Sequence, residues 1–269
     1  MYNEKYDKLL TYLKNLESVV VAYSGGVDST FLLKACRDAL GDKAMALTVV
    51  SPYIPKWEIE EAKELIKDIG TRHEFLEVPV IIDEIKFNPS DRCYLCKKAI
   101  FTKITNAAKE QGFKYVLDGT NADDTKDYRP GLRALGELHV KSPLLECGLT
   151  KADIRAISKE LHLPTWDKPA YACLLSRIPY DVEIKVEELD RIEKSEKYLM
   201  DLGFRAVRVR SHGELARIEV PKEHIVKLFD VKLMEQISKQ LKAFGYKFVA
   251  LDMEGYKMGS LNGDLANNK

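Results

Sequence analysis

The stretch VVVAYSGGVDS, residues 19–29, opens with a continuous apolar run, which is typical of a strand buried on both faces of a parallel sheet. Gly25 and Gly26 then allow a tight turn, in which several backbone N–H groups point at one anion. A helix is expected to begin directly after the turn, and its N-terminus adds partial positive charge. This stretch decides the fold, and it predicts a phosphate-binding loop. The side chains expected to contribute are the hydroxyls of Ser24 and Ser29 and the carboxylate of Asp28, which holds Mg²⁺ or braces the loop.

Strand-like and helix-like segments alternate through the first half of the chain. Buried-strand patterns cover residues 44–50, 73–78 and 114–118, and helical patterns cover 28–40, 55–69, 93–111 and 151–161. Such alternation predicts right-handed crossovers and an α/β fold with a doubly wound, mostly parallel, Rossmann-like sheet. Ligands bind beyond the carboxyl ends of such strands, so the loops at 24–29, 51–53 and 119–124 are expected to converge there.

A segment rich in proline and aromatic residues, 164–180, separates this pattern from a second one. The second pattern predicts a helix over 185–202, strands at 204–210 and 214–220, two further helices from Pro221 and a last strand. We therefore expect two domains, a nucleotide-binding domain over residues 1–165 and a smaller C-terminal α+β domain over 166–269.

Composition restricts the classes of function. Lys plus Arg and Asp plus Glu both number 42, which gives a net charge of zero, whereas general nucleic-acid binders carry a basic excess. Apolar runs are too short to span a bilayer, and the N-terminus lacks the apolar core of a signal peptide. These features predict a cytoplasmic protein with neither a nucleic acid nor a membrane as its partner. The five cysteines are then expected to be thiols or metal ligands rather than disulfides.

Cys93 and Cys96 form a C-x-x-C pair at the start of a predicted helix, and this spacing places both thiols on one face. Flanking basic side chains and the helix N-terminus favour the thiolate, which is the form that binds metal. With Cys173, in the interdomain segment, they offer three thiolates, enough for a 4Fe-4S cluster with one iron open. A structural zinc ion normally takes a fourth ligand. Cys147 is a possible fourth ligand, although a core role is favoured for it, as it is for Cys36. The alternatives for the C-x-x-C pair are a redox dithiol and two small core residues.

Several motifs together resemble one family. SGGVDS matches the PP-motif of the ATP pyrophosphatases, SGG-x-D-S, which implies cleavage of ATP to AMP and pyrophosphate. Two stretches, DGTNADDTKDYRPGLRA at 118–134 and KPAYACLLSRIPY at 168–180, resemble the LarE family of ATP-dependent sulfur transferases, and so does the tail LDMEGYKMGSLN at 251–262. The resemblance covers essentially the whole chain.

The resemblance implies a reaction. LarE proteins insert sulfur into pyridinium-3,5-biscarboxylic acid mononucleotide, which leads to the nickel-pincer cofactor of lactate racemase. Mg-ATP first adenylylates a substrate carboxylate, and a sulfur nucleophile then displaces AMP to leave a thiocarboxylate. In one branch the sulfur comes from a single cysteine, here Cys173, which becomes dehydroalanine. In another branch three cysteines hold a 4Fe-4S cluster whose open iron carries an extra sulfide, and Cys93 and Cys96 favour this branch.

The resemblance also implies partners and site residues. A homo-oligomer is expected, with sulfide or another sulfur donor as a reactant. Gly119 and Asp124 are expected to join the phosphate loop in binding Mg-ATP, because hard cations prefer carboxylate oxygens. Asp123 is a second candidate for binding Mg²⁺, and the alternative is helix capping, for which Asn121 and Asp123 are suited.

Basic side chains are expected to hold the phosphate and carboxylate groups, because adenylylation brings two anions together. The candidates for substrate binding are Arg129, Arg133, Ser176, Arg177, Arg208 and Arg210. The candidates for catalysis are Cys173, Asp28 and Arg177. A surface ion pair is the alternative for each arginine, and Glu219 on the neighbouring predicted strand is the alternative partner of Arg208 and Arg210.

Two other functions fit parts of the sequence. A tRNA thiolase also combines a PP-motif with three cysteines and a cluster, but it needs an RNA-binding surface that the balanced charge does not favour. A non-catalytic module that binds a nucleotide or a cluster would bind ATP without releasing pyrophosphate. The intact PP-motif and the adjacent acidic loop favour an enzyme over such a module.

Overall fold

The computed structural model describes residues 4–126 and 130–257, and the chain forms two compact units. The first unit comprises Met1–Ile85 and Ser90–Ala170, and the second comprises Lys86–Pro89 and Tyr171–Lys269. The sequence pattern predicts a boundary at residue 165, slightly earlier, and carries no signal for the short segment at Lys86–Pro89.

The sheet of the first unit has four parallel strands in the order β3–β2–β1–β4. The strands are β1 (Val19–Ala22), β2 (Ala44–Val50), β3 (Arg72–Glu77) and β4 (Tyr115–Leu117). The strand order reverses between β1 and β4, and ligands bind at such a switch point, outside the carboxyl ends of the strands. The parallel α/β fold predicted from the sequence is confirmed, and the SGGVDS loop directly follows β1.

Helices connect and cover these strands. They are α1 (Glu4–Lys14), α2 (Val27–Leu40), α3 (Lys56–Ile69), α4 (Arg92–Glu110), α5 (Gly131–Glu137), α6 (Pro143–Glu146) and α7 (Lys151–Glu160). The ranges of α2, α3, α4 and α7 agree with the predicted ones to within one residue at each end. A capping box fixes the start of α7. The side chains of Thr150 and Asp153 each accept a hydrogen bond from the backbone N–H group of the other residue. The sequence patterns predict none of α1, α5 and α6.

The central strand explains why its sequence is continuously apolar. Val19 and Val21 face one core cluster, together with Phe31 of α2, whereas Val20 faces a second cluster, together with Ile104 of α4. Because alternate side chains of a strand point to opposite faces, every position of β1 needs an apolar residue here. Each such side chain stabilises the fold by about 1.5–3 kcal/mol when fully buried. This packing fixes the strand from which the phosphate loop projects.

The second unit contains a three-stranded sheet in the order β5–β6–β7. Its elements are α8 (Val186–Asp201), β5 (Arg208–His212), β6 (Leu215–Glu219), α9 (Lys222–Ile225), α10 (Val231–Ala243) and β7 (Phe248–Leu251). β5 and β6 are antiparallel, and β7 is parallel to β6. Leu199 of α8, Val209 of β5 and Leu241 of α10 are fully buried in one core.

The first strand of this unit begins later than its sequence pattern predicts. The alternation of FRAVRVR predicts a strand from Phe204, but β5 begins at Arg208. Ala206 has a φ of 58°, in the left-handed region, which interrupts an extended strand. The local turn therefore overrides the apolar alternation.

Candidate active site

The SGGVDS loop lies between β1 and α2 and closes on its own hydroxyl groups. The hydroxyls of Ser24 and Ser29 lie 3.1 Å apart, and the Ser24 N–H donates to Ser29 Oγ at 3.2 Å. The Gly26 N–H points to Ser24 Oγ at 3.4 Å. Among the residues that the structure describes, no side chain caps the N-terminus of α2. Hydroxyls and backbone N–H groups therefore converge at a positive helix end, an arrangement that suits a phosphate group.

Two glycines let other elements approach this loop closely. Gly25 has a φ of 67°, and a Cβ atom there would lie 2.9 Å from the Cβ of Ala62 on α3. A Cβ atom at Gly119, after β4, would lie 3.1 Å from the Ser29 nitrogen. Both distances are shorter than normal contacts between these atoms. The loop is thus held between α3 and the segment after β4.

Substitution Gly25→Ala tests this packing. We expect it to lower the free energy of unfolding by about 2–5 kcal/mol, because left-handed strain costs about 1–2 kcal/mol and overpacking adds about 1–3 kcal/mol. Gly70→Ala is the matched control, since Gly70 has the same φ of 67° and no atom within 4 Å of the added Cβ. Urea unfolding measures both variants. Equal losses in the two variants would contradict a role for the contact with Ala62.

Asp28 carries the half-buried carboxylate of the loop. One oxygen accepts a hydrogen bond from Lys151 Nζ at 2.6 Å. The other oxygen is buried and has no hydrogen-bond partner among the described residues. Burial raises the pKa of Asp28, the Lys151 ammonium opposes this rise, and the negative charge of Asp124 adds to it. A buried carboxylate oxygen close to a second carboxylate fits Mg²⁺, which usually binds one or two carboxylates together with phosphates.

The acidic loop after β4 is held by its own hydrogen bonds. Asp118 is buried and accepts hydrogen bonds from the hydroxyls of Thr120 and Ser142, both at 2.5 Å. Asp123 accepts the backbone N–H of Lys151 at 2.8 Å. Asp124 accepts a backbone N–H within its own turn at 2.9 Å. Asp123 therefore caps the first residue of α7, in line with the capping alternative, whereas Asp124 braces its own turn. Binding of Mg²⁺ by either carboxylate stays a prediction.

Lys168 is a further polar residue at the loop and is not among the site residues predicted from the sequence. Its side chain is 9% exposed, and its Nζ donates to the Gly25 carbonyl at 2.9 Å. The same Nζ lies 2.9 Å from a carboxylate oxygen of Glu61 on α3. Lys168 is the first residue of the stretch KPAYACLLSRIPY, which is the one sequence signal that could have singled it out.

Cys93 and Cys96 lie in the first turn of α4, as the spacing predicts, with Cys93 exposed and Cys96 half-buried. Cys173 belongs to the second unit, where it is exposed and directly precedes the short 3-10 helix Leu174–Arg177. The prediction that Cys36 and Cys147 are buried is confirmed, and burial raises the pKa of both thiols. The structure has no disulfide among the five cysteines. Within the described ranges, no group of three or more His, Cys, Asp or Glu side chains is arranged to hold a metal ion.

Arg177 has partners within the second unit. Its guanidinium is 2% exposed and makes two hydrogen bonds with the Glu196 carboxylate, at 2.9 and 2.8 Å. It also donates to the carbonyls of Ala172 and Cys173, at 2.7 and 3.1 Å, and to Ser176 Oγ at 2.7 Å. Arg177 therefore fixes the backbone on both sides of the Cys173 side chain, and its contact with substrate stays a prediction.

Arg208 and Arg210 lie on β5 and are buried. Arg210 makes two hydrogen bonds with Glu219 of β6, at 3.0 and 2.8 Å, and also donates to the Ser176 carbonyl. Arg208 donates to the Val207 carbonyl, and its guanidinium carbon lies 5.0 Å from the centre of the Tyr256 ring. Burial and the positive charge of Arg177 lower the pKa of Arg208. Arg210 therefore pairs with Glu219, which is the partner that the sequence offers as the alternative to a substrate group.

The remaining predicted arginines lie elsewhere. Arg133 is exposed on α5, and its guanidinium carbon lies 3.7 Å from the centre of the Tyr94 ring. Tyr94 stands between Cys93 and Cys96 in the sequence, so Arg133 lies beside the C-x-x-C turn. Arg129 falls outside the described residues.

A parallel α/β unit whose SGG-x-D-S loop follows the central strand, with the half-buried carboxylate of Asp28 in that loop, defines an ATP-binding protein of the PP-loop pyrophosphatase class. In agreement, the family model for NAD synthase matches residues 1–110. None of the helices in residues 4–126 and 130–257 has the length and apolarity that crossing a membrane requires.

The chain is also similar to whole proteins. Pyridinium-3,5-bisthiocarboxylic acid mononucleotide synthase of Lactiplantibacillus plantarum is 36% identical over 259 residues, which cover 96% of this chain and 93% of that protein. An uncharacterized protein of Synechocystis is 42% identical over 97% of this chain and 98% of its own length. An uncharacterized protein of Methanocaldococcus jannaschii is 34% identical over 96% of this chain and 99% of its own length. The chain belongs to the LarE family, as its motifs predict.

Proposed function

We propose that this protein is an ATP-dependent sulfur transferase that converts a carboxylate of pyridinium-3,5-biscarboxylic acid mononucleotide to a thiocarboxylate. Its similarity to a synthase of the bisthiocarboxylic acid mononucleotide extends over nearly the whole of both chains, and this observation carries the proposal. The phosphate loop beside Asp28 supports the ATP-dependent half of the reaction.

In the first step, a substrate carboxylate oxygen attacks the α-phosphorus of ATP, and the bond from that phosphorus to the bridging oxygen of the β-phosphate breaks. The hydroxyls of Ser24 and Ser29 and the loop N–H groups bind the departing pyrophosphate. Gly119 packs against the loop from the β4 side. Such preorganised donors stabilise charge that develops on a leaving group.

Magnesium is the expected companion of ATP in this loop. Asp28 would hold it through the buried oxygen that has no hydrogen-bond partner in the described part of the chain, together with Asp124. The ion would neutralise charge on the phosphates. Lys151, which pairs with Asp28 at 2.6 Å, opposes the rise in the pKa of this carboxylate that burial causes.

In the second step, a sulfur nucleophile attacks the acyl carbon of the adenylylated substrate, and the bond from that carbon to the AMP oxygen breaks. We propose Cys173 as a sulfur-bearing residue, since Arg177 and Ser176 fix its carbonyl by hydrogen bonds of 3.1 and 2.9 Å. The thiols of Cys93, Cys96 and Cys173 suit a 4Fe-4S cluster, because iron–sulfur clusters take thiolate ligands and can leave one iron open. When bound, the cluster would supply that open iron for a sulfide.

The second unit is the proposed binding region for the substrate mononucleotide. Arg177, Arg208 and Arg210 are buried there, and Glu196 and Glu219 pair with the first and the last of them. The positive charge of Arg177 acts on Arg208, and an anion bound beside the two side chains would relieve this repulsion. Arg208 is therefore the proposed ligand of the substrate phosphate. Arg133, Ser176 and Arg129 remain candidates for holding the carboxylates, and a homo-oligomer is the proposed assembly.

An anaerobic assay tests the function. The protein is incubated with Mg-ATP, the pyridinium mononucleotide and sulfide, and mass spectrometry follows the small molecules and the intact protein together. We expect AMP, pyrophosphate and a substrate in which sulfur replaces a carboxylate oxygen. Iron and sulfide analysis of the same preparation is expected to find both elements.

The outcomes separate the two sulfur sources. Repeated turnover with an unchanged protein mass supports the cluster, whereas loss of H₂S from Cys173 after one turnover supports the sacrificial route. The absence of both AMP and thiocarboxylate would refute the proposed function. Transfer of sulfur to tRNA in a parallel incubation would instead support a tRNA thiolase.

A further inference from the structure

The side chain of Lys168 lies against the phosphate loop and has no role in the steps above. An ammonium group has three donors, and here two of them reach the Gly25 carbonyl and the Glu61 carboxylate, each at 2.9 Å. Burial of an ammonium is unfavourable unless such partners compensate it. The side chain is therefore held at the loop by specific contacts rather than by packing alone.

The backbone of Lys168 is fixed as well. Arg155 of α7 donates to the carbonyls of Trp166 and Lys168, at 2.6 and 2.7 Å. The Lys168 N–H donates to the Thr165 carbonyl at 3.0 Å. Because both ends of the lysine are anchored within the first unit, its ammonium has a defined position relative to α3 and α7.

The contact with Gly25 determines how one peptide group of the loop is oriented. The Gly25 carbonyl and the Gly26 N–H belong to the same planar, trans peptide unit, so they point in opposite directions. Lys168 holds the carbonyl, and the Gly26 N–H consequently points to Ser24 Oγ, at 3.4 Å. This is the side on which the hydroxyls of Ser24 and Ser29 meet.

A peptide unit between two glycines turns over easily, because neither residue has a Cβ atom to oppose the rotation. After such a turn the Gly25 carbonyl would face the phosphates and repel them. Rotation of this peptide would move the φ of Gly26 from −80° into the positive range, which glycine tolerates and alanine does not. The loop sequence therefore needs an outside contact to keep its N–H group on the phosphate side.

We propose that Lys168 is a positioning residue for ATP, which locks the Gly25–Gly26 peptide so that its N–H faces the β- and γ-phosphates. The proposal rests on the proposed function in that ATP occupies the SGGVDS loop. It gives a role to the first residue of the KPAYACLLSR stretch, and Glu61 serves in it as the counter-ion that keeps the ammonium in place.

Binding of inorganic pyrophosphate, measured by calorimetry, tests this role without the sulfur chemistry. Lys168→Met keeps the length of the side chain and removes the donor, and we expect about ten- to a hundredfold weaker binding. Lys168→Arg should restore at least part of the affinity. The matched control is Lys5→Met, which removes the ion pair of Lys5 with Asp153 on α7 and should leave pyrophosphate binding unchanged.

Kinetics and a double variant sharpen the test. In steady-state assays, K168M should raise KM for ATP about tenfold or more and change kcat at saturating ATP much less. In a Gly26→Ala background, where the turned-over peptide is disfavoured, K168M should weaken pyrophosphate binding less than it does in the wild type. Wild-type affinity in K168M, or an equal loss in both backgrounds, would overturn the proposal. Failure of the wild-type protein to bind pyrophosphate would instead refute the proposed function.

Discussion

Replacement of Arg177 by methionine is expected to lower the free energy of unfolding by about 3–5 kcal/mol. The guanidinium is almost completely buried and makes two hydrogen bonds with Glu196. Methionine keeps most of the apolar stem, but it leaves the Glu196 carboxylate as an uncompensated buried charge. The carbonyls of Ala172 and Cys173 lose a donor at the same time. Urea unfolding, followed by circular dichroism, measures the loss.

Two comparisons isolate the cause of this loss. Arg217→Met removes an arginine that is 38% exposed and paired with carboxylates, and it should cost only about 0–1 kcal/mol. The double variant R177M/E196Q should be more stable than R177M, because glutamine carries no charge and its oxygen still accepts the Val209 N–H that Glu196 accepts at 2.8 Å. A double variant that is less stable than R177M would contradict the charge argument.

Local sequence patterns were sufficient for the fold and for the phosphate loop. β1 is buried on both faces, and therefore its residues form an apolar run that is visible without any partner strand. Gly25 and Gly26 follow it directly, and their backbone freedom is a property of the residues themselves. The loop was predictable because its components are neighbours in the sequence.

Contacts between distant residues were not predictable in the same way. Lys168 and Gly25 are 143 positions apart in the chain, and neither residue identifies the other. Their contact exists because α3 and α7 pack on the same phosphate loop, which is a property of the folded unit. A sequence pattern describes one element at a time, so it reports the glycine and omits the lysine that orients it.

The buried ion pair between Arg177 and Glu196 could have been anticipated from the sequence of α8. Glu196 lies on the apolar stripe of α8, in line with Leu189, Ile192 and Leu199, all of which are buried. An acidic residue within such a stripe needs a buried cationic partner. Its presence could have indicated that Arg177 has a counter-ion within the chain, in addition to any substrate group.

Replacement of Cys173 by serine is expected to lower the rates of thiocarboxylate formation and of AMP release by about a thousandfold or more, whereas pyrophosphate release continues for one adenylylation per site. Serine keeps the size of the side chain, and the carbonyl of residue 173 still accepts hydrogen bonds from Arg177 and Ser176. A hydroxyl group can neither bind iron as a thiolate does nor donate sulfur. Quenched-flow analysis of pyrophosphate and thiocarboxylate separates the two half-reactions.

Two further cysteine variants make this result decisive about the sulfur source. Cys147→Ala removes a buried thiol that lies outside the SGGVDS, 118–134 and 168–180 stretches. This variant should retain both half-reactions. Cys93→Ser should abolish transfer as C173S does if three thiolates hold a cluster, because loss of one ligand dismantles the site. If Cys173 is instead consumed, the Cys93 variant should still complete one turnover and end with dehydroalanine at residue 173. Wild-type transfer by C173S would remove Cys173 from both routes, and the proposed sulfur step with it.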